Sequence, residues 1–283
     1  MLLPNIYVPS PDTAPYITRF YVFDAPLPNE HVLTDWLLSE TPFIRLLIAG
    51  EWERLDGDGN WGSYNRALLF GINTRPFPVR VKGRFRIAGF GIRASGWRAL
   101  FEQPADTLND QMFQLSDYWG DIAHGLWRDV KGCSDDRMVI NAIENALRRR
   151  LDEIGHREID AQMATTEYIA RTDSTHGVEE LAEKTGLSMS QFARRCKATF
   201  GLTPKAVMRR SRFLDMATAM RGFTHPTEQQ LAALRYFDDS HRNREFRQYT
   251  GMTPREFDRA STLLFTAGLK LRAEAHDLRP PER

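Results

Sequence analysis

The chain has 283 residues, 42% of them hydrophobic and 27% charged, with a formal charge of +1. That balance describes an ordinary globular protein rather than a disordered or fibrous one, and the length favours two domains over one. No apolar run reaches the roughly 18 residues of a membrane-spanning helix, which excludes an integral helical membrane protein.

Cys133 and Cys196 are the only cysteines and lack a metal-type spacing, and Met1-Leu-Leu-Pro-Asn5 lacks the basic start of a signal peptide. The expectation is a cytoplasmic protein with no cofactor. Charge is divided unevenly: residues 1–164 hold 18 basic and 22 acidic side chains, and residues 165–283 hold 20 and 15.

The first 115 residues read as strands. Arg19–Phe23, Phe43–Ile48, Arg66–Phe70, Val79–Lys82 and Phe85–Ile92 are short apolar or alternating runs, bounded by the turn segments Asp56–Asn60, Asn73–Pro76 and Lys82-Gly83. Strict alternation over Val79–Ile87 predicts a half-buried hairpin. Trp36, Trp52, Trp61 and Tyr64 are candidates to line a pocket.

From Ser95 the spacing turns helical. A short helix is expected within Ala94–Phe101 and another from Ser116. Ile140, Ile143, Leu147, Leu151 and Ile154 form an apolar stripe opposite Arg148, Arg149 and Arg150. Packing within its own domain is the first reading of that stripe, and a homodimer helix is the second. Gly155–Ile159 is the expected boundary. Beyond it come a helix carrying Met163, Tyr168 and Ile169, a short helix over Val178–Lys184, a turn at Gly186–Ser188 and a helix from Ser188 to Phe200. Thr203-Pro204 caps the next helix, and further helices are expected over Pro226–Leu234, over Ser240–Tyr249 and from Thr253. The tail from Ser261 is expected to fray.

Within this half the sequence repeats at an interval of fifty. Ser190, Arg194, Gly201, Thr203 and Pro204 recur as Ser240, Arg244, Gly251, Thr253 and Pro254, and Leu181-Ala182 recurs as Leu231-Ala232. Each copy reads as a helix-turn-helix, and B-DNA offers successive major grooves about 34 Å apart. Between Lys184 and Leu214 there are eight basic residues and no acidic one, as suits a polyanion.

In the helix from Ser188, Phe192 and Cys196 face inward, leaving Ser190, Gln191, Arg194 and Lys197 on the other side. Arginine can pair guanine and glutamine can pair adenine. Arg195, Lys205, Arg209 and Arg210 are placed for phosphates, which fix register without reading sequence.

Enzyme motifs do not hold up. Asp56–Asn60 begins like a calcium loop, but Trp61 and Ala67 stand where glycine and glutamate are needed. Gly89-Phe-Gly91 lacks a third glycine, Arg93-Ala-Ser-Gly96 lacks the first glycine of a nucleophile elbow, and no histidine pair has metal spacing.

The segments Leu181–Ser188, Phe192–Arg195, Thr199–Pro204, Asp238–His241, Arg244–Arg247 and Thr250–Phe257 resemble the AraC/XylS family of transcriptional regulators over about Ala161 to Ala260. The resemblance implies two recognition helices in successive major grooves. It places Ser190, Arg194 and Lys197, then Asp239, Ser240, His241 and Arg244, against DNA, and Asn243 and Arg247 share the second helix. The chain departs from the family at Arg235, where a turn glycine is expected, and at Arg242, where a phenylalanine is expected. An arginine at a buried position must snorkel or pair, with Asp238 or Asp239 as candidate partners.

Ile87–Trp97, Gln103-Pro104 and Asp117–Gly120 resemble a domain of uncharacterised function found ahead of such modules. In the wider family this position holds a cupin-like barrel that binds an effector or mediates dimerisation.

The expected fold is α+β, a β-rich cupin-like barrel or sandwich followed by an all-α domain with two helix-turn-helix motifs. The expected divisions are residues 1–130, a helical connector at 131–158, the DNA-binding domain at 159–262 and a tail at 263–283. The expected function is a sequence-specific transcriptional regulator rather than an enzyme. Its expected partners are double-stranded DNA, RNA polymerase, a small-molecule effector and a second copy, but not a membrane. The alternative is a cupin-type small-molecule-binding protein or enzyme whose degenerate helical module acts through protein partners.

Overall fold

The computed structural model describes residues 3–227 and 239–274. The expected helix over Pro226–Leu234 falls largely outside them, as do Arg235 and Asp238.

Eight strands form one antiparallel sheet: β1 Asn5–Tyr7, β2 Ile17–Ala25, β3 Val32–Leu37, β4 Phe43–Leu55, β5 Trp61–Tyr64, β6 Ala67–Phe70, β7 Phe77–Ile92 and β8 Met112–Gln114. Its order is β1-β2-β7-β4-β6-β8, with β3 added to β7 and β5 to β4.

The expected hairpin at Lys82-Gly83 is absent. Val79–Lys82 and Phe85–Ile92 are one 16-residue strand. Alternation predicts which face a side chain takes but does not say whether the chain reverses. Gly83, with φ of 65°, lets β7 change direction without reversing. Its first part pairs with β3 and its second with β2, while β4 follows the other side throughout.

Both faces of the sheet are buried. Phe20 and Val22 of β2 join Ile44, Leu46 and Phe90 beneath α1 (Trp97–Leu100), α2 (Ser116–Lys131) and α3 (Asp136–Ile154). Tyr21 and Phe23, on the other face, join Trp52, Phe70, Val79, Val81 and Phe85. Two covered faces explain why β2, β4 and β6 read as near-continuous apolar runs.

The stripe of α3 is spent inside the chain, with Ile143 and Leu147 at most 1% exposed. The packing reading therefore holds, and the dimer reading loses this surface. Arg150 lies inside as well, donating to the Leu100 carbonyl at 3.0 Å, whereas Arg148 pairs with Asp12 at 2.6 Å. Asp56–Asn60 is a hairpin turn between β4 and β5, its first carboxylate accepting from the Asp58 and Asn60 amides.

Gly155, left-handed at φ 82°, ends α3. Beyond it lie α4 Ala161–Thr172, α5 Val178–Thr185, α6 Met189–Phe200, α7 Pro204–Met220, α8 Asp239–Thr250, α9 Pro254–Arg259 and α10 Leu263–Ala273. The tail does not fray at its start. Leu264, Phe265 and Leu269 of α10 are 2–4% exposed, packed among the sheet, α7 and α8. Its apolar residues recur at helical spacing, and a helix of this length becomes stable once that face is buried.

Candidate nucleic-acid interface

Each recognition helix is built by local chemistry. Ser188 caps α6 by accepting from the Gln191 amide, and the Gln191 side chain returns the bond to the Ser188 amide at 3.1 Å. Gln191, expected to read adenine, is thus also half of a capping box. Phe192 and Cys196 are fully buried four residues apart, and burial pushes the Cys196 thiol up to about 12. That anchors one face of α6 and turns Ser190, Gln191, Arg194 and Lys197 outward, all four exposed.

In the second copy, Phe246 and Tyr249 of α8 are buried against Phe213 of α7 at ring-centroid distances of 5.0 and 4.8 Å. Ser240, Arg244 and Arg247 are exposed and Asn243 is half-buried. The side chains of Asp239 and His241 lie outside the described residues. Thr253 and Glu256 form a capping box at the start of α9, as expected. Arg242 is half-buried.

The basic residues assigned to phosphates divide into three kinds. Lys205 is exposed on the first turn of α7. Arg195 and Arg209 are half-buried and already engaged: Arg195 pairs with Asp160 at 3.1 Å, while Arg209 pairs with Glu245 at 2.9 Å and donates to Gln248 at 3.1 Å. Arg209 therefore ties α7 of the first module to α8 of the second.

Arg210 is misassigned. It is 2% exposed and donates to the Ser39 carbonyl at 2.7 Å and the Asn73 carbonyl at 2.5 Å. In a run of consecutive basic residues on a helix, the 100° step per residue must turn some of them inward.

The β domain grips both modules, through residues that sequence reasoning missed. Asn109 donates to the Gly201 carbonyl at the end of α6, at 2.6 Å. Trp36 donates its indole N–H to the Thr250 carbonyl at the end of α8, also at 2.6 Å. Gly201 has φ of 76°, and a Cβ there would stand 2.6 Å from Asn109 Oδ1 and 2.8 Å from Ile72. Its glycine therefore serves both the turn and the close approach. The capping partner of α10 is also remote. Asp35 of β3 accepts from the Leu264 amide at 2.6 Å and the Phe265 amide at 3.4 Å. Burial raises the Asp35 carboxyl to about 6 despite these bonds and one from the Trp36 amide.

Between the sheet and α10 lies a cleft partly open to solvent. None of Trp36, Trp52, Trp61 and Tyr64 lines it. Trp52 is 1% exposed under the Arg45 guanidinium, and Trp61 lies under Arg80.

Comparison with known proteins gives two family matches. Residues 181–260 match a helix-turn-helix domain, and residues 5–114 match a domain of unknown function, DUF6597. No curated protein matches the chain. Among solved structures, ToxT from Vibrio cholerae is similar at 10% identity and a TM-score of 0.48, covering 84% of this chain and 97% of its own. ToxT with an unsaturated fatty acid bound is similar at 10% identity and 0.46, covering 84% and 94%. The AraC-like transcriptional activator CuxR is similar at 12% identity and 0.28, covering 76% and 86%. At these scores the fold rests on the sheet and helices themselves. Residues 181–260 are therefore a helix-turn-helix domain, the mark of a DNA-binding transcription regulator, and the motifs within it resemble those of the AraC/XylS family.

Proposed function

We propose that the protein is a sequence-specific regulator that places α6 and α8 in successive major grooves of one DNA site, under the control of its β domain. The observation that carries this reading is the pair of equivalent outward faces. Arg194 and Arg244 stand fifty residues apart on helices of equal length, both exposed, while the opposite faces are anchored by Phe192 and Phe246. Arg194 and Arg244 read bases, with Ser190, Gln191, Lys197, Ser240 and Asn243 beside them. Lys205 and Arg247 take phosphates. Arg195 and Arg209 reach phosphate only by leaving Asp160 and Glu245, or by sharing them.

Control by the β domain follows from its grip. Asn109 and Trp36 hold the ends of the two recognition helices to a single sheet, so any change in the sheet's docking alters how the helices are presented. The protein acts in the cytoplasm. RNA polymerase and a second copy are further partners on this reading, and a dimer would use a surface other than the α3 stripe.

Titration of purified protein against genomic DNA fragments tests the electrostatic part. Affinity should drop steeply between roughly 50 and 200 mM salt, and Lys205→Ala should lower the slope of log K against log salt by about one. Affinity indifferent to salt would overturn the proposal. Stoichiometric metal in the purified protein would instead favour the enzyme alternative.

A further inference from the structure

The cleft between the sheet and α10 has apolar walls: Phe23, Leu37 and Ile87 from the sheet side, and Leu264, Ala267 and Leu271 from the helix. Its charged lining is unusual. Arg19, Arg45 and Arg272 all border it, and Glu40 is the single acidic residue among the lining side chains. Glu40 is taken up by Arg171 at 3.1 Å and by Arg272 at 2.5 Å, and Arg272 also holds Asp215 at 2.6 Å. Arg272 is therefore neutralised from two sides.

Among the described residues, neither Arg19 nor Arg45 forms an ion pair, although the charge of Glu40 acts on Arg19 from nearby. Each leaves one terminal guanidinium nitrogen buried without a hydrogen-bond partner. The Nε of Arg45 donates to the Tyr21 hydroxyl at 3.2 Å, and its guanidinium sits among Tyr21, Phe43, Trp52 and Phe70 at 4.9–5.9 Å from the ring centroids. These contacts hold the group in place and leave one terminal nitrogen without an acceptor. A buried charged donor without an acceptor is costly and rare in native proteins.

The sheet shows why the two arginines share one space. Phe20 of β2 pairs with Phe90 of β7, while Phe43 and Arg45 of β4 pair with Gly91 and Gly89. Arg19 and Arg45 thus flank β7 from its two neighbouring strands. Neighbouring strands lie about 4.8 Å apart, so the two backbones are on the order of 10 Å apart, within reach of two long side chains converging on one group. Between them β7 presents glycines, over which the Thr18 and Tyr21 side chains lie, and Gly91 borders the cleft. Burial pushes the Arg19 guanidinium down to about 9, with the like charges of Arg171 and Arg272 adding to the effect and Glu40 opposing it. A bound anion would act in the opposite direction.

We infer that this cleft binds an apolar anion, with an oxyanion head on the buried guanidinium nitrogens of Arg19 and Arg45 and a hydrocarbon or aromatic body between the sheet and α10. Apolar walls with a few polar anchors are the usual lining of a small-molecule site. The inference rests on the reading of the β domain as the controlling domain and names its ligand class. Occupancy acts on the DNA-binding domain through α10, which forms one wall and whose Arg272 grips Asp215 of α7.

Calorimetry on the full chain without DNA tests it, with three probes of equal tail length: decanoate, decyl phosphate and decanol. An anionic probe should bind about tenfold more tightly than decanol, and Arg19→Gln should reduce that preference to about threefold or less while leaving decanol unchanged. Preference for decanoate or for decyl phosphate supports the site equally and identifies the head. Decanol equal to both anions, or an unchanged preference in Arg19→Gln, overturns it. If Arg19→Gln does not fold, Ala267→Phe, which fills the helix wall, should abolish binding of all three probes, and retained binding overturns the proposal. Because no DNA is present, failure here leaves the roles of α6 and α8 untouched. DNA affinity measured without ligand tests those separately.

Discussion

Arg210 and Arg194 lie on successive helices of one basic segment, yet the structure gives them opposite work. Arg210 makes two short charge-assisted bonds to buried carbonyls, those of Ser39 and Asn73, and lies 5.7 Å from the Tyr249 ring centroid. Arg210→Met keeps most of the hydrocarbon stem and removes the donors. Two charge-assisted bonds at about 1.5–3 kcal/mol each set the gross loss. Part of it returns because a guanidinium is no longer desolvated, a cost visible in its lowering to about 10 by burial. The net destabilisation is about 2–4 kcal/mol. Urea unfolding of the full chain should show that loss for Arg210→Met. Arg194→Ala, at an exposed position, should remain within about 0.5 kcal/mol of the parent. DNA binding at low temperature should show the reverse order, with Arg194→Ala the weaker binder. An Arg210→Met protein of parental stability and reduced salt dependence on DNA would refute the reasoning and return Arg210 to the phosphates.

Other outcomes follow from the same geometry. Arg194→Ala should cost roughly 1–3 kcal/mol on the preferred DNA and relax choice at one base pair, as read by binding to a set of single-base variants. Ser188→Ala removes the α6 cap and should lower stability by about 1 kcal/mol in urea unfolding. For Asp35 the folded carboxyl titrates near 6, above its ordinary value of 3.8, so the folded state holds the proton more tightly. Its contribution is therefore most favourable below pH 3.8 and is lost as pH rises toward 6. Converted at 1.36 kcal/mol per unit, the loss is at most roughly 3 kcal/mol. Unfolding free energies compared between pH 4 and 7 should shift in favour of Asp35→Asn over the parent by up to that amount, and a flat difference would show that Asp35 does not titrate there.

The motifs at the helix ends were legible because capping and left-handed turns are local chemistry. Ser188, Thr203 and Thr253 cap as read, and Gly201 and Gly251 are left-handed at φ 76° and 74°. The inward face of α6 followed from the spacing of Phe192 and Cys196. What failed depends on distant partners. Lys82-Gly83 looks like a turn, and only pairing with β2, β3 and β4 makes it the bend of one strand. The basic run names cations without saying that Arg210 meets the carbonyls of residues more than a hundred positions earlier. The apolar spacing of α10 was visible, but its cap, Asp35, lies 229 residues away. Arg19 and Arg45 did carry a signal. Each is a charge set among the buried residues of a strand, where burial demands a partner. The Gly89-Phe-Gly91 segment, empty as a nucleotide motif, lies between them.

The most direct test of two-groove reading is selection of genomic fragments by the purified protein at moderate salt, run beside Arg194→Ala and Arg244→Ala. The account predicts an asymmetric motif spanning about two helical turns, with each variant losing information in a different half. A motif confined to one turn, or one that both variants leave intact, would contradict it.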